Sequence, residues 1–421
     1  MTALFFLALL SDFIFLYPLL MSVVWTMGGL IFYWRWEKKD PPSLSSYPFI
    51  SVIVPAHNEE KVIEKVVHNL RDLNYPKYEV IVVNDGSTDQ TAQILNRLST
   101  LYPAWLKVIH LSPNSGKSQA LNIGILLSQG HFILTLDGDS FLDQDAPLWL
   151  MWQFIAFPRV GAITGNPRVL NRTTLLSKIQ IGEYSSIIGL IKRTQRLLGK
   201  VLTVSGVVAA FRKSALLDCG LFDSDTVTED IDITWKLQRK FWDVRFEPRA
   251  LCWVLVPETV KGLWRQRVRW AQGGIEVLRK HMSIWRDKRQ RRLWPVYIEY
   301  FLGVLWAHLF IGVCAFWLVS YLLSQFFPTF PVFPFAPFIP QWKGSILALT
   351  CLFQFVVSLL LDHRYEGRSF IKYYFWVIWY ALLYWFICAL AVIVSVYNVF
   401  IKKAGVTVTW KSPDRGLHTL Q

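Results

Sequence analysis

His131-Phe132-Ile133-Leu134-Thr135-Leu136-Asp137-Gly138-Asp139-Ser140 is the stretch on which the fold turns. The apolar run 132–136 is too short for a helix of its own and reads as a buried strand. It ends on Asp137-Gly138-Asp139. Glycine lets the chain turn sharply, so both carboxylates can leave the strand toward one point. In open α/β sheets, ligands gather beyond the carboxyl ends of the strands. Two hard oxygen ligands there suit Mg²⁺ or Mn²⁺, ions that complete their shells with water and substrate phosphates. A polar turn after a buried strand has a similar composition, so the motif gains weight only if the rest of the chain delivers chemistry to the same place.

Outward from this stretch, strand and helix patterns alternate. Residues 49–55 read as a strand and 58–73 as a helix, with Val62, Val66, Leu70 and Leu73 on one face. Residues 78–83 and 88–101 form a second such pair, and 106–111 and 116–128 a third. Strands alternating with helices predict a mainly parallel sheet covered on both faces. A soluble domain is therefore expected over 48–257.

The chain ends have a different composition. Of 421 residues, 53% are hydrophobic and 20 are Trp, and the apolar residues crowd toward the two termini. Residues 13–34 carry no charge and are long enough for one crossing, which takes roughly 20 residues; residues 1–11 are too few for a second. A transmembrane segment is thus expected within 1–36. From Pro295 the chain is apolar again over 295–323, 344–361 and 370–401, giving about three segments within 293–401, and a basic tail follows at 402–421. The first break is rich in proline (Pro328, Pro331, Pro334, Pro337, Pro340) and the second is Asp362-His363-Arg364-Tyr365-Glu366-Gly367-Arg368. The net charge of +14 comes largely from Lys and Arg beside the apolar segments, as in Arg35-Trp36-Glu37-Lys38-Lys39. That placement marks the cytoplasmic side of a membrane rather than nucleic-acid binding, and no nucleic-acid partner is expected. Two amphipathic stretches, 174–198 and the interfacial region 258–292, could lie on the membrane surface. The five cysteines have neither metal-ligand spacing nor evident pairing, which suits a reducing compartment.

Polar residues follow each of the first four strands: His57-Asn58-Glu59, Asn84-Asp85-Gly86-Ser87, Asn114-Ser115-Gly116-Lys117 and Asp137-Gly138-Asp139. In a parallel sheet these fall on one rim, where a carboxylate such as Asp85 can accept hydrogen bonds from a ribose or a base. Further on, Thr228-Glu229-Asp230 opens a plausible helix. It could serve as a cap or supply a general base, which must reach the hydroxyl it deprotonates. Gln266-Arg267-Val268-Arg269-Trp270 lies in a stretch whose Arg and Trp residues also suit a membrane anchor. Arginine forks match phosphate oxygens, and tryptophan offers a flat face to a sugar ring.

In this order and spacing, Asp85, Asp137-Gly138-Asp139, Thr228-Glu229-Asp230 and Gln266-Arg267-Val268-Arg269-Trp270 resemble the processive family 2 glycosyltransferases, the membrane synthases of cellulose, hyaluronan, chitin and poly-N-acetylglucosamine. Gly165-Asn166-Pro167-Arg168, the run Ile179-Gln180-Ile181-Gly182-Glu183-Tyr184-Ser185-Ser186 and the tail Trp410-Lys411-Ser412-Pro413-Asp414-Arg415-Gly416 are similar to the branch making poly-β-1,6-N-acetyl-D-glucosamine. Relatives of that branch can carry two N-terminal crossings, where this chain has room for one.

The resemblance implies a GT-A nucleotide-sugar-binding domain set between N- and C-terminal transmembrane helices, with amphipathic helices at the interface. It further implies an inverting transferase using UDP-N-acetylglucosamine, embedded in a bacterial inner membrane with its catalytic domain cytoplasmic. Asp85 would hold the uridine, with Asn58, Glu59 and Lys117 nearby. Asp139 and Asp137 would hold Mg²⁺ (or Mn²⁺) on the diphosphate, which Arg269, Gln266 and Arg267 would also contact. Asp230 would be the general base, flanked by Glu229. Gly206, Glu229 and Trp270 would meet the growing polysaccharide acceptor, and a small membrane accessory subunit would assist. The alternatives are a synthase of another β-linked polymer, a transferase to a lipid phosphate, or a nucleotide-regulated transporter. The last is disfavoured by the expectation that the apolar stretches carry no charges at depth.

Overall fold

The computed structural model describes residues 2–38, 44–332, 342–380 and 384–401. The basic tail, with Trp410–Gly416, and three of the five break prolines, Pro334, Pro337 and Pro340, lie outside the described residues.

An eight-stranded sheet forms the centre of the soluble region, in the order β3-β2-β1-β4-β7-β6-β8-β5. The strands are β1 (Ile50–Ala56), β2 (Tyr78–Asp85), β3 (Leu106–Leu111), β4 (Phe132–Leu136), β5 (Ser140–Leu142), β6 (Val160–Val169), β7 (Val208–Arg212) and β8 (Asp243–Val254). The first four pair in parallel, β1 lying between β2 and β4. Every residue of β1 and β4 is buried, which is why these strands read as unbroken apolar runs rather than alternating ones. The pattern then changes: β7 runs antiparallel between β4 and β6. This reversal brings Ser205 and Gly206, just before β7, to the end of the sheet where β4 delivers Asp137.

Around the sheet, α1 (Thr2–Phe32) is followed by α2 (Ile63–Arg71), α3 (Thr91–Leu101), α4 (Lys117–Leu127), α5 (Ala146–Ala156), α6 (Leu175–Glu183), α7 (Ile191–Leu198), α8 (Lys213–Asp218), α9 (Glu229–Arg239) and α10 (Val260–Lys280). The C-terminal helices are α11 (Trp294–Phe326), α12 (Trp342–Glu366), α13 (Tyr374–Trp379) and α14 (Trp385–Ile401). The helix expected over 58–73 is shorter than its apolar spacing suggests, because Asn58 adopts a positive φ of 57° and its side chain bonds to the next loop.

Among the described residues, three helices are long and apolar enough to cross a membrane: Leu9–Glu37, Trp294–Phe326 and Lys343–Glu366. One lies near the N-terminus and two lie toward the C-terminus, where the apolar region is less regular than expected. The segment expected to end at 361 runs on to Glu366, so Asp362 and Glu366 sit on the helix rather than in a break. Residues 370–401 are divided between a 3₁₀ turn (Arg368–Tyr373), α13 and the 17-residue α14. Glu299 lies inside α11, which corrects the expectation of charge-free apolar stretches.

The stretch 174–198 departs most from its amphipathic reading. It forms α6, a π-helical segment (Tyr184–Leu190) and α7, and it runs between the sheet domain and the apolar helices. Arg193 is fully buried and pairs with Glu37 at 2.8 Å and Asp362 at 2.9 Å. Arg168, at the end of β6, is also buried and bonds to Asp362 and Glu366. A charge on a helix with an apolar face reads as solvated, yet here each finds a carboxylate from a distant helix end, which makes burial tolerable. The ion cluster ties β6, α7, the end of the N-terminal apolar helix and α12 together.

Candidate active site

Each of the first four strands hands its last residues to one rim. Asn84 of β2 stands beside Ala56 of β1 and His110 of β3. Asp85 is completely buried, and its carboxylate accepts the backbone N–H of Ser115 at 2.7 Å and of Gly116 at 2.8 Å. A buried carboxylate requires such donors, and in meeting that need Asp85 shapes the loop that presents Lys117. Asn58 accepts the backbone N–H of Thr88 at 2.8 Å, and the N–H of Glu59 donates to Thr91 at 2.8 Å. These three residues brace the rim from behind and do not line the main cavity.

The cavity itself, about 790 Å³, is lined by Lys117, Asp137, Asp139, Gly206, Glu229, Asp230, Gln266, Arg267, Arg269 and Trp270. The acidic and basic motifs, far apart in sequence, thus meet. The cavity continues beneath the sheet between α1, α11 and α14, past Tyr17, Trp25, Glu299, Tyr300 and Val392.

Lys117 is the electrostatic hub. Its ammonium lies 2.7 Å from Asp137 and 2.8 Å from Glu229. Burial works against its charge, but the two carboxylates outweigh burial and raise its pKa. Burial raises Asp137, with the like charge of Asp139 adding to the effect and Lys117 opposing it. Glu229 is pushed up by burial too, yet Lys117 holds it below the usual range. One lysine therefore serves more negative charge than it can neutralise. That shortage, with Asp137 and Asp139 side by side facing a cavity, fits a divalent cation held by oxygen ligands. A second acidic group, Asp223, Asp225 and Asp232, has metal-like proximity, but the Lys280 ammonium fills it at 2.7, 2.7 and 3.0 Å.

Asp230 sits in the first turn of α9. Its carboxylate accepts the backbone N–H of Gly206 at 3.0 Å and of Ile231 at 2.9 Å. Burial, and then the neighbouring charge of Glu229, push its pKa up to about 6, a value suited to a base working near neutrality. The capping reading of this segment fails in one respect, since Thr228 makes no side-chain cap bond. A side chain at Gly206 would be tight: a Cβ there would come within 3.1 Å of Asp230 Oδ2 and 3.3 Å of Lys117 Nζ, so those side-chain ends would have to give by a few tenths of an ångström.

The segment 266–270 lies on α10, which approaches the loop before α9 very closely. A Cβ on Gly273 would fall 1.9 Å from Thr228 Oγ1. Gln266, Arg269 and Trp270 face the cavity. Arg267 lines it only in part, for its guanidinium turns inward to Glu183 at 2.5 Å and to the Tyr384 hydroxyl at 2.6 Å. A fork so engaged cannot also clasp a diphosphate, and this corrects the expected donor contact.

Sequence reasoning missed several lining residues. Lys192, whose stretch reads as lying on a surface, whether of the membrane or of the protein, is 6% exposed. Its ammonium lies 3.4 Å from Thr164 Oγ1, and burial lowers its pKa to about 8. Glu299 accepts from Trp25 Nε1 at 3.2 Å and Gln195 Nε2 at 3.3 Å. A lone acid in an apolar segment was the available signal, because such residues are rarely placed there without a role.

The glycosyltransferase-like family 2 model matches residues 48–273. The chain is 40% identical over 415 residues to a poly-β-1,6-N-acetyl-D-glucosamine synthase of Staphylococcus aureus, covering 96% of this chain and 98% of the relative. It is 37% identical over 411 residues to the synthase of that name from Staphylococcus epidermidis, with the same coverage. Among solved structures, a mannosyltransferase from Pyrobaculum calidifontis, in complex with GDP-Man and Mn²⁺, superposes with a TM-score of 0.56. That match spans 93% of this chain and 100% of the other at 20% identity, and it shows the shared GT-A fold. With its fold, its gathered motifs and these relatives, the chain belongs to glycosyltransferase family 2.

Proposed function

We propose that this protein is a membrane-embedded, processive, inverting transferase that polymerises N-acetylglucosamine from UDP-N-acetylglucosamine into poly-β-1,6-N-acetyl-D-glucosamine, a biofilm exopolysaccharide. The observation that carries this reading is the single cavity. It joins the rim of Lys117, Asp137 and Asp139 to Asp230 and Trp270, then runs on between apolar helices. The names of the relatives supply the sugar and the linkage.

In this reading the UDP diphosphate lies over Asp137 and Asp139, which would hold Mg²⁺ or Mn²⁺. When bound, the ion neutralises charge that develops on the departing diphosphate. The Arg269 fork and Gln266 steady the same phosphates, while Lys117 offsets the adjoining carboxylates. Asp85, with Asn58 and Glu59, supports the uridine end by fixing the loops around it. The acceptor's terminal sugar rests on Trp270 beside Gly206 and Glu229. Asp230 takes the proton of the acceptor 6-hydroxyl as that oxygen attacks the anomeric carbon from the face opposite UDP. The new C–O bond forms, the bond to the diphosphate oxygen breaks, and UDP leaves with the electron pair. The lengthened chain then advances between α1, α11 and α14. A bacterial inner-membrane location with the transferase domain in the cytoplasm, and a small accessory membrane subunit, belong to the same proposal.

The test is incorporation of radiolabelled UDP-N-acetylglucosamine by the purified protein with Mg²⁺ or Mn²⁺. A polymeric product cleaved by a β-1,6-specific hexosaminidase is expected. A product of another linkage would reassign the polymer, a lipid-soluble product would indicate single-sugar transfer, and the absence of any product would favour a nucleotide-regulated transporter.

A further inference from the structure

We infer that Glu183, together with Tyr384, is a positioning residue for the acceptor platform and acts through Arg267. The inference rests on the proposed polymerising function, because it concerns how the acceptor is held.

Glu183 ends α6 and is almost completely buried. Its Oε2 accepts from Arg267 Nη2 at 2.5 Å and from the Tyr384 hydroxyl at 2.7 Å. The same hydroxyl accepts from Arg267 Nε at 3.2 Å and Nη2 at 2.6 Å. Two elements, α6 and the segment before α14, therefore fix one side of a guanidinium that α10 carries. Its other side serves the cavity. Nη1 donates to Gln266 Oε1 at 3.0 Å, and the guanidinium carbon lies 4.2 Å from the Trp270 ring centroid. A planar fork with one edge fixed and the other meeting an amide and an indole leaves those two groups little freedom to rotate. Arg267 thus transmits the position of a buried carboxylate to two cavity-lining side chains.

A simple ionic clamp between helices would require only that the buried charges balance. Positioning requires the geometry of the fork as well. Loss of Glu183 would leave an unpaired buried guanidinium, which turns toward another acceptor and releases Gln266 and Trp270. Weaker acceptor holding then lets the polymer dissociate earlier, while of the contacts to UDP only the share of Gln266 is lost and those of Arg269 and the strand rim remain.

The experiment compares wild type, Glu183→Gln, Tyr384→Phe and the double variant Glu183→Gln/Arg267→Met in detergent, each checked for a cooperative melt. Three quantities are read: UDP affinity by calorimetry, binding of a short β-1,6-linked N-acetylglucosamine oligomer in the presence of UDP, and product length. Glu183→Gln is expected to weaken UDP binding by only about threefold to fivefold, the share that Gln266 supplies, and to weaken oligomer binding at least tenfold. Its product should be short oligomers, and the double variant should remain equally defective although its charges balance. Full-length product and normal oligomer binding in Glu183→Gln would overturn the inference, as would recovery in the double variant. Should Glu183→Gln not fold, Tyr384→Phe carries the comparison, with short product expected and wild-type length overturning the role. A wild type that forms no polymer at all overturns the functional proposal, whereas oligomer binding still reports on the positioning.

Discussion

The two halves of the active site are held together in different ways. The rim half comes from β1 to β4, each delivering its polar residues after a run of buried strand. The junction half comes from α6, α7, α9 and α10, packed against apolar helices from both chain ends. In the rim, partners come from neighbouring loops of the sheet: Asp85 accepts from the Ser115 and Gly116 backbone, and Asp137 pairs with Lys117. In the junction, two buried arginines take partners from remote segments: Arg193 with Glu37 and Asp362, Arg267 with Glu183. On the proposed reading, the strand rim serves the metal and the uridine end, α10 adds the phosphate contacts, and acceptor handling depends on how the sheet domain is mounted on its apolar helices.

Changes at the point where the halves meet should have the largest effect. Asp230→Asn removes the proposed base and should lower turnover by about 10²–10⁴-fold while UDP binding survives, as measured by sugar incorporation and calorimetry. In the wild type, activity should fall as pH drops through about 6, because the reactive form of Asp230 is its carboxylate. The stability sign is opposite. A folded pKa above the unfolded value of 3.8 means that ionisation opposes folding, so stability from this group is complete below about 3.8 and lost as pH rises through about 6. Asp230→Asn should therefore melt higher than wild type at pH 8, and a lower melting temperature would argue against a desolvated carboxylate.

Within the rim, Asp139→Ala should abolish the Mg²⁺-dependent part of nucleotide binding and leave the metal-independent part in place. Calorimetry with and without Mg²⁺ distinguishes the two, and an unchanged metal dependence would remove Asp139 from the ligand set. Within the junction, Asp362→Asn unbalances Arg168 and Arg193 together. It should cost about 3–5 kcal/mol of stability, read as a lower thermal midpoint in detergent, with UDP affinity unchanged in the folded fraction. A variant as stable as wild type would show that the ion cluster is not what joins domain to helices. The smallest effect is expected for Gly273→Ala, which forces α10 away from Thr228. A loss of activity of roughly tenfold is expected with nucleotide affinity retained, and normal turnover would mean that α10 can shift without disturbing Gln266 or Trp270.

How far the sequence could be read follows the same division. Asp137-Gly138-Asp139 alone could equally be a polar turn after a buried strand; it became legible because three further strand ends with polar residues repeated the signal. The reversal that inserts β7 between β4 and β6 was not legible, since a buried antiparallel strand and a buried parallel one share the same composition. Lys192 and Arg193 were misread as surface charges because sequence shows the charge of a side chain but not the remote carboxylate beside it. The sequence likewise offered Arg267 and Arg269 as equals, two residues apart with the same chemistry. One turns toward Glu183 and the other toward the cavity only once α10 is packed.

By itself, the sequence determined the run of strands and helices that makes the rim, the apolar ends, and the residue types available for metal, phosphate and proton chemistry. Those properties depend on local periodicity and on side-chain chemistry, both of which a linear chain displays. Tertiary structure decided which charges are neutralised, which arginine is free to meet a ligand, and that the cavity runs from the rim to the membrane helices. Such outcomes depend on desolvation and on partners two hundred or more residues away, and those come into contact only when the sheet domain docks onto the helices.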